Sequence, residues 1–216
     1  AKTVYTYNGK VQKPSVTVKD STGKPLKAGA DYTVNYPKGR KAVGRYGVQV
    51  KLKGKYKGSR TVYFTVKPKG TSISKVTGGK KKITVTWKKQ ATQTTGYQIQ
   101  YSTSSNFKNA KTVTVSKNST TKKTITGLKN GKKYYVRVRT YKTVKTGHKS
   151  TKYYSNWSKS KNTASAKKSA PKGNTVYVSP TGKKYHYIKS CAGKHPIKTT
   201  LKEAKKNHTP CKKCAM

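Results

Sequence analysis

The sequence predicts a mainly β protein made of three successive modules. Three observations support this prediction. Apolar residues alternate with lysines in short runs, turn clusters separate these runs, and a single segment near the carboxyl end has the pattern of a helix. The predicted boundaries place modules at residues 1–69, 70–165 and 175–216, with a linker over residues 166–174 that is rich in Ala, Ser, Lys and Pro.

The first module contains three runs with the period of a strand: PSVTVKD, YGVQVKLKG and TVYFTVKP. In the first run, Val16 and Val18 share one face. The longer stretches YTYNGKVQKPSVTVKD, GADYTVNY and GRYGVQVKLKGKYKGSRTVYFTV resemble small Ig-like β-sandwich domains of Gram-positive surface proteins, over about residues 1–68. This resemblance implies a stalk or adhesion module and no catalysis.

The second module has clearer landmarks. KITVTWKK places Trp87 on the apolar face of a strand, and ITGLKNGKKYYVRVRTY places Tyr134 six residues after Leu128. These features resemble a fibronectin type III domain, with Trp87 in the second strand and Tyr134 as its tyrosine corner, over about residues 71–165. The resemblance implies a β-sandwich used for spacing and binding. Together the first two modules are predicted to be tandem β-sandwiches.

Charge is the most unusual property of the chain. It has 52 Lys and Arg against 3 Asp and Glu, a formal net charge of +49. The cations are spread evenly, with 17 in residues 1–70, 22 in residues 71–166 and 13 in residues 167–216. Such a chain attracts polyanions through long-range fields that salt weakens, and it repels itself. No apolar run approaches the ~20 residues that span a bilayer.

The three acids have local structural tasks. Asp20 opens the turn DSTG, Asp31 lies in the turn of GADYTV, and Glu203 stands three residues after Thr200 as the acid of a capping box. Two-carboxylate catalysis therefore has no free pair of carboxylates. No nucleophile elbow, P-loop or dinucleotide-binding glycine pattern occurs. We therefore expect the chain not to be an enzyme.

The carboxyl-terminal module contains all three cysteines, Cys191 and the pair of the sequence PCKKC. This separation suits a hairpin–helix zinc module, in which each of two chain segments supplies two ligands. A structural site needs a fourth ligand, and spacing alone leaves three histidines open: His186, His195 and His208. The competing interpretation is a redox-active or disulfide-bonded C-x-x-C, but the βαβ context of such motifs is not predicted here.

The pattern TGKKYHYIKSC followed by LKEAKKNHTPCKKC resembles a small module that ends secreted bacterial nucleases and surface proteins, over about residues 175–214. The resemblance implies that one structural zinc ion is held by four residues: His186, Cys191, Cys211 and Cys214.

Two surface patches are candidates for anion binding. Strand alternation places Tyr135, Arg137, Arg139 and Tyr141 on the outward face of YYVRVRTY, where guanidinium groups bind phosphate or sulfate and tyrosines stack. The alternative is an ordinary solvated sheet face with cross-strand pairs. The second, weaker patch lies in GKYKGSR and consists of Lys55, Lys57 and Arg60.

These observations predict a secreted protein of the Gram-positive cell envelope that acts in adhesion or scaffolding. Its partners would be polyanions such as teichoic acids, extracellular DNA or RNA, and sulfated or sialylated glycans, bound diffusely by counter-ion release. One alternative is a self-assembling subunit of an extracellular filament or surface layer, although the charge opposes homo-assembly. Another is a non-catalytic region of a secreted nuclease or wall hydrolase.

Overall fold

The computed structural model describes residues 2–164 and 175–214, so the predicted linker over residues 166–174 lies outside the described part. The fold is mainly β, as predicted. In the part that the structure describes, the chain divides into two compact units. The first unit comprises Ala1–Val76, Thr84–Thr124 and Tyr134–Thr163. The second unit comprises Thr77–Ile83, Ile125–Lys133 and Ala164–Met216. The three predicted module boundaries stay a prediction. No described helix is long and apolar enough to span a membrane.

The amino-terminal part of the first unit is built on one four-stranded sheet with the order β1-β4-β3-β2. Strand β1 pairs in parallel with β4, and the other pairs are antiparallel. Its core is formed by Val48, Phe64 and Val66, with tyrosine rings packed around them. The strands are β1 (Val4–Thr6), β2 (Tyr32–Asn35), β3 (Gly44–Leu52) and β4 (Ser59–Lys67).

The second layer over this sheet is irregular chain. The strand predicted from PSVTVKD is not formed, because the segment has no ladder partner beyond one isolated bridge between Lys19 and Pro25. Instead, side chains of the sheet bind its backbone. The Tyr32 hydroxyl donates to the Val16 carbonyl at 3.0 Å, and the Tyr36 hydroxyl donates to the Pro14 carbonyl at 2.6 Å. Tyrosine hydroxyls thus satisfy carbonyl groups that a second sheet would have paired.

Two sheets follow in the next part of the chain. The first has the order β5-β6-β9, and the second has the order β11-β10-β7-β8 with β12 also paired to β10. Trp87 is 2% exposed, as predicted, and its ring meets Tyr97 at 5.3 Å between centroids. The strands are β5 (Ile73–Gly79), β6 (Lys82–Trp87), β7 (Gly96–Ser102), β8 (Lys111–Val115), β9 (Lys122–Ile125), β10 (Lys133–Thr146), β11 (Lys149–Tyr154) and β12 (Lys161–Ala164).

Besides β12, strand β10 pairs with two strands in succession. Its first part pairs with β7, from Tyr135 opposite Ser102 to Tyr141 opposite Gly96. Its last part pairs with β11, from Tyr141 to Thr146. The strand therefore continues beyond its pairing with β7 as one arm of a hairpin with β11. One face of this hairpin continues the sheet face that carries Arg137 and Arg139.

The carboxyl-terminal module is the predicted hairpin–helix. Strands β13 (Thr175–Val178) and β14 (Lys184–His186) form an antiparallel hairpin inside a sheet of order β15-β13-β14-β16. A core of Val176, Val178, Tyr185 and Ala204 joins the sheet to the helix. The remaining elements are a 3-10 turn (Lys189–Cys191), β15 (Ile197–Thr200), α1 (Leu201–Asn207) and β16 (Thr209–Pro210).

The Thr200 half of the capping box predicted for helix α1 is present. The Thr200 hydroxyl accepts a hydrogen bond from the Glu203 backbone N–H at 3.2 Å. The Glu203 carboxylate pairs with Lys206 at 3.1 Å, one turn along the helix. The Glu203 carboxylate thus lies in the first turn of the helix, where the helix dipole favours a negative charge.

One close approach in the five-stranded sheet makes a glycine necessary. A Cβ on Gly96 would lie 2.1 Å from the Val115 carbonyl oxygen and 3.0 Å from the Tyr141 ring. We expect Gly96→Ala to lower the free energy of unfolding by about 1–3 kcal/mol, since the backbone must shift to accept the methyl group. Urea unfolding followed by circular dichroism measures this change.

The matched control is Gly70→Ala. The nearest atom to a Cβ at this position is the Ser155 hydroxyl at 3.7 Å, an ordinary contact. This variant should unfold like the parent chain or slightly later. Equal unfolding midpoints for the two variants would show that Gly96 is not constrained.

Candidate metal centre and cationic sheet face

Four side chains of the carboxyl-terminal module meet at one point. His186, Cys191, Cys211 and Cys214 each direct one ligand atom into a cluster in which these atoms all lie within 4.8 Å of one another. Cys211 and Cys214 are buried, and the other two are half-buried. These are the four residues that the resemblance of the tail implied. The arrangement is compatible with a zinc site.

Local structure brings the four residues together from distant parts of the chain. His186 ends strand β14, and Cys191 ends the 3-10 turn, where its N–H donates to the Ile188 carbonyl at 3.0 Å. Parallel pairing of β16 with β14 then brings in the C-x-x-C segment, because the Cys211 N–H donates to the Tyr185 carbonyl at 3.0 Å. A turn closed by the Cys214 N–H and the Cys211 carbonyl at 3.2 Å aims both thiols at the same side.

Two of the distances within the cluster match those around a tetrahedral ion. The sulfur atoms of Cys191 and Cys211 are 3.9 Å apart, and the Cys214 sulfur is 3.6 Å from Nδ1 of His186. Zinc bonds of about 2.3 Å to sulfur and about 2.0 Å to nitrogen, at tetrahedral angles, place such atoms about 3.8 Å and about 3.5 Å apart. A disulfide would need the two sulfur atoms at about 2.05 Å. The geometry therefore matches metal ligation better than a disulfide.

The electrostatic state of His186 and Cys211 favours metal ligation, whereas that of Cys191 opposes the thiolate form that a metal would have to stabilise. Burial, together with the charge of Lys184, lowers the pKa of His186, so its imidazole is neutral at pH 7 and can ligate. Burial and hydrogen bonds with the other two thiols raise the pKa of Cys191 to about 11. For Cys211, burial opposes ionisation, but hydrogen bonds from the Lys213 backbone and the neighbouring thiols lower its pKa overall.

The two other candidate histidines stand outside the cluster. His195 is exposed in the loop before β15. His208 follows helix α1, where its N–H donates to the Ala204 carbonyl at 2.9 Å, and its buried Nδ1 has no hydrogen-bond partner. Of the three histidines that spacing left open, His186 is the one that lies with the cysteines.

The arginines of β10 form an alternating stack with aromatic rings. The Arg137 guanidinium lies 4.0 Å from the Phe107 ring centroid and 4.9 Å from that of Trp157. The Arg139 guanidinium lies 4.3 Å from Trp157 and 4.1 Å from Tyr154. We call these five residues the arginine ladder. Trp157 lies between two cations, and the ladder covers one face of the five-stranded sheet.

Glutamines of the neighbouring strand hold the guanidinium groups in place. Nε of Arg137 donates to the Gln100 side-chain oxygen at 2.7 Å. Nε and Nη2 of Arg139 donate to the Gln98 side-chain oxygen at 3.0 and 2.7 Å. Partial burial lowers the pKa of both arginines, and the charge of Arg137 adds to this effect at Arg139. The cations are thus oriented by neutral oxygens and rings, with no acid in the ladder.

One residue of this predicted face was placed wrongly. Tyr141 is 3% exposed, although alternation put it on the outward face with Arg139. The strand direction was right, but the face is covered at that point. Gly96 opposite leaves room for the ring, and Tyr154 and Lys152 pack over it. Tyr135 is half-buried on the same strand. The alternation of residues along a strand predicts the side of the sheet on which a side chain lies. It does not predict which other residues cover that side.

The weaker patch is exposed as predicted. Lys55, Lys57 and Arg60 all lie on the surface around the turn before β4 and at its start. Lys55 Nζ lies 5.4 Å from the Tyr56 ring centroid. The three residues are therefore accessible to a ligand, but nothing in the structure orients them toward a common point.

The carboxylates of the two amino-terminal acids, Asp20 and Asp31, accept hydrogen bonds within turns. One carboxylate oxygen of Asp20 accepts hydrogen bonds from the Thr22 N–H at 3.0 Å, the Thr22 hydroxyl at 2.7 Å and the Lys24 N–H at 3.0 Å. The Thr22 hydroxyl is the main reason that the pKa of Asp20 is lowered. Asp31 accepts from the Lys27 N–H at 2.8 Å. Among the described residues, Lys206 and Glu203 form the one ion pair between side chains.

Comparison with known proteins identifies the middle of the chain. Residues 66–156 match the family model of the fibronectin type III domain, which confirms that resemblance. Fibronectin type III domains are typical of extracellular, non-catalytic proteins. No curated protein matches the chain.

Among solved structures, the FN1–FN3 domains of chicken CNTN1 are similar, with 21% sequence identity and a TM-score of 0.40. The match covers 58% of this chain and 44% of that chain, so this protein spans less than half of the similar structure.

Proposed function

We propose that this protein is a non-catalytic extracellular adhesion or scaffold protein that binds polyanions through its cationic surface. The observation that carries the proposal is the imbalance of charge. The chain has a net charge of +49, and its few carboxylates serve two turns and one helix. With three Asp and Glu against 52 Lys and Arg, most of the cations can have no carboxylate partner within the chain, and an external polyanion would supply the counter-charge.

The fibronectin type III match supports an extracellular, non-enzymatic role, because domains of this family are typical of such proteins. The resemblance of residues 1–68 and 175–214 to modules of Gram-positive secreted proteins favours the cell envelope as the location. Teichoic acids, extracellular nucleic acids and sulfated or sialylated glycans are the polyanions available there. Binding of this kind depends on counter-ion release and carries little sequence specificity.

The carboxyl-terminal cluster would hold one structural zinc ion. His186, Cys191, Cys211 and Cys214 provide four protein ligands, which leaves no open position for a substrate. The core of this module consists of only a few residues, yet it must hold four short strands and one turn of 3-10 helix together. Metal ligation would supply the additional stability that so small a module needs. In this proposal the zinc ion maintains the fold of the module, and the surrounding lysines contact the partner.

The electrostatic mechanism predicts a strong dependence of binding on salt. Affinity of the full chain for heparin or duplex DNA should fall by about 10³-fold or more between about 50 and about 200 mM NaCl, as expected when several phosphates or sulfates are neutralised. Fluorescence anisotropy of a labelled ligand measures this dependence. Uncharged dextran is the control ligand and should not bind. An affinity for heparin that is the same at both salt concentrations would contradict the mechanism.

Metal analysis tests the zinc site. The purified chain should contain about one zinc ion, and His186→Ala should lose it, since three thiolates leave one coordination position to water. Removal of zinc with a strong chelator should abolish the folded signals of residues 175–214 in nuclear magnetic resonance spectra. The signals of the first unit, residues 2–76, 84–124 and 134–163, should remain.

His195→Ala is the matched control, because His195 is exposed and outside the cluster. It should retain zinc at the level of the parent chain. Full zinc content in His186→Ala, or loss of zinc in His195→Ala, would show that the four clustered residues are not the ligand set.

A further inference from the structure

A groove in the first unit gathers three cations beside aromatic rings. Its walls come from the end of β4, from β10 and β11, and from the segment that follows β11. Lys67, Arg139 and Lys152 line it together with Tyr154 and Trp157, and its volume is about 540 Å³. None of the lining residues is acidic. The groove is therefore a shallow, open site whose charged side chains are all cationic, which attracts an anion.

Two of the three cations of this groove are oriented by neighbouring side chains. The Arg139 guanidinium is fixed between the rings of Tyr154 and Trp157 and by two hydrogen bonds to Gln98. Lys152 Nζ lies 5.3 Å from the Tyr141 ring centroid. A ligand that binds here pays less conformational entropy than one that must order free lysine side chains.

We propose that this groove binds a sulfate or phosphate ester of a polysaccharide chain, with Lys67, Arg139 and Lys152 as the contacting cations. The proposal rests on the proposed function, since it names a preferred place and a ligand class for polyanion binding. Guanidinium groups bind tetrahedral oxyanions through paired N–H donors, and lysines add point charges around them. Arg139 thus determines the position of the ester group, and the two lysines neutralise its charge.

The aromatic rings favour a polysaccharide over a nucleic acid. Single-stranded nucleic acids gain much of their affinity by stacking bases on open aromatic faces. Arg137 and Arg139 both lie against the ring of Trp157, and Arg139 also lies against the ring of Tyr154. These two rings are therefore partly covered, and the guanidinium groups beside them offer N–H donors. An ester group on a sugar can accept hydrogen bonds from such donors. A nucleobase would gain less stacking energy here than on open aromatic faces.

The hairpin beyond the groove suits a ligand that is a chain. Arg137, Arg139, Thr143 and Lys145 share one face of β10, and the register places Lys152 opposite Thr143. Residues two apart along a strand are separated by about 6.6–6.8 Å. Cations thus continue from the ladder along the hairpin, in a row that an extended polyanion can follow.

Two double variants of equal charge test the groove. Lys67→Gln with Lys152→Gln removes two groove cations and keeps the aliphatic stems. Lys19→Gln with Lys117→Gln removes two exposed lysines elsewhere in the first unit. We expect the affinity for a short heparin oligosaccharide to fall at least about tenfold in the groove variant and less than about twofold in the control.

Equal affinities of the two double variants, with the parent chain still binding heparin, would overturn the groove and leave the proposed function standing. Absence of salt-dependent binding by the parent chain would overturn the proposed function itself. Matching thermal unfolding midpoints verify that both variants are folded. If the groove variant unfolds early, the single variants Lys152→Gln and Lys117→Gln give the same comparison, because both lysines are exposed.

Three ligands identify the class of polyanion. Heparin carries sulfate esters, phosphorylated dextran carries phosphate esters, and a single-stranded DNA oligonucleotide carries phosphates with bases. The groove variant should lose more affinity than the control for at least one of the two glycans, and the larger loss identifies the ester. For DNA, the two variants should lose affinity equally. A groove effect confined to DNA would overturn the assignment to a polysaccharide.

Discussion

The constraint on which the rest of this structure depends is a surplus of positive charge that the chain itself does not neutralise. Fifty-two cations share three carboxylates, and two of these carboxylates are used to close turns. The fold must therefore tolerate mutual repulsion at short range. It does so by placing cations against groups with partial negative charge, namely aromatic faces and amide or carbonyl oxygens.

Tyrosine, tryptophan and glutamine take the place that acids hold in other proteins. Arg45 lies 3.8 Å from the Tyr63 ring centroid, and the arginine ladder orders two guanidinium groups with three rings and two glutamines. Such pairs orient a cation but leave its net charge in place, because the ring and the amide are neutral. The surface therefore stays attractive to polyanions while the sheets remain ordered. The cluster of the small terminal module, three thiols and one imidazole, likewise contains no carboxylate.

Strand periodicity and local motifs were enough to predict the mainly β fold, the buried position of Trp87 and the cap at Thr200. Spacing predicted the three cysteines of the tail as ligands but left the histidine open, and the resemblance of the tail implied His186. These features depend on local patterns or on a strong motif. The irregular layer over the first sheet was missed, because tyrosine hydroxyls from distant strands satisfy its carbonyl groups. The sequence predicted part of the arginine ladder. Its arginines were found, but Phe107 and Trp157 come from loops whose approach depends on tertiary packing.

The most direct test of unrelieved repulsion is the thermal unfolding midpoint of the zinc-saturated chain as a function of NaCl concentration. Screening weakens repulsion between surface charges, so the midpoint should rise steadily as the Debye length falls from about 30 Å at 0.01 M to about 10 Å at 0.1 M. A chain stabilised by ordinary surface ion pairs would instead lose stability as these pairs are screened. A midpoint that stays constant or falls over this range would contradict the account.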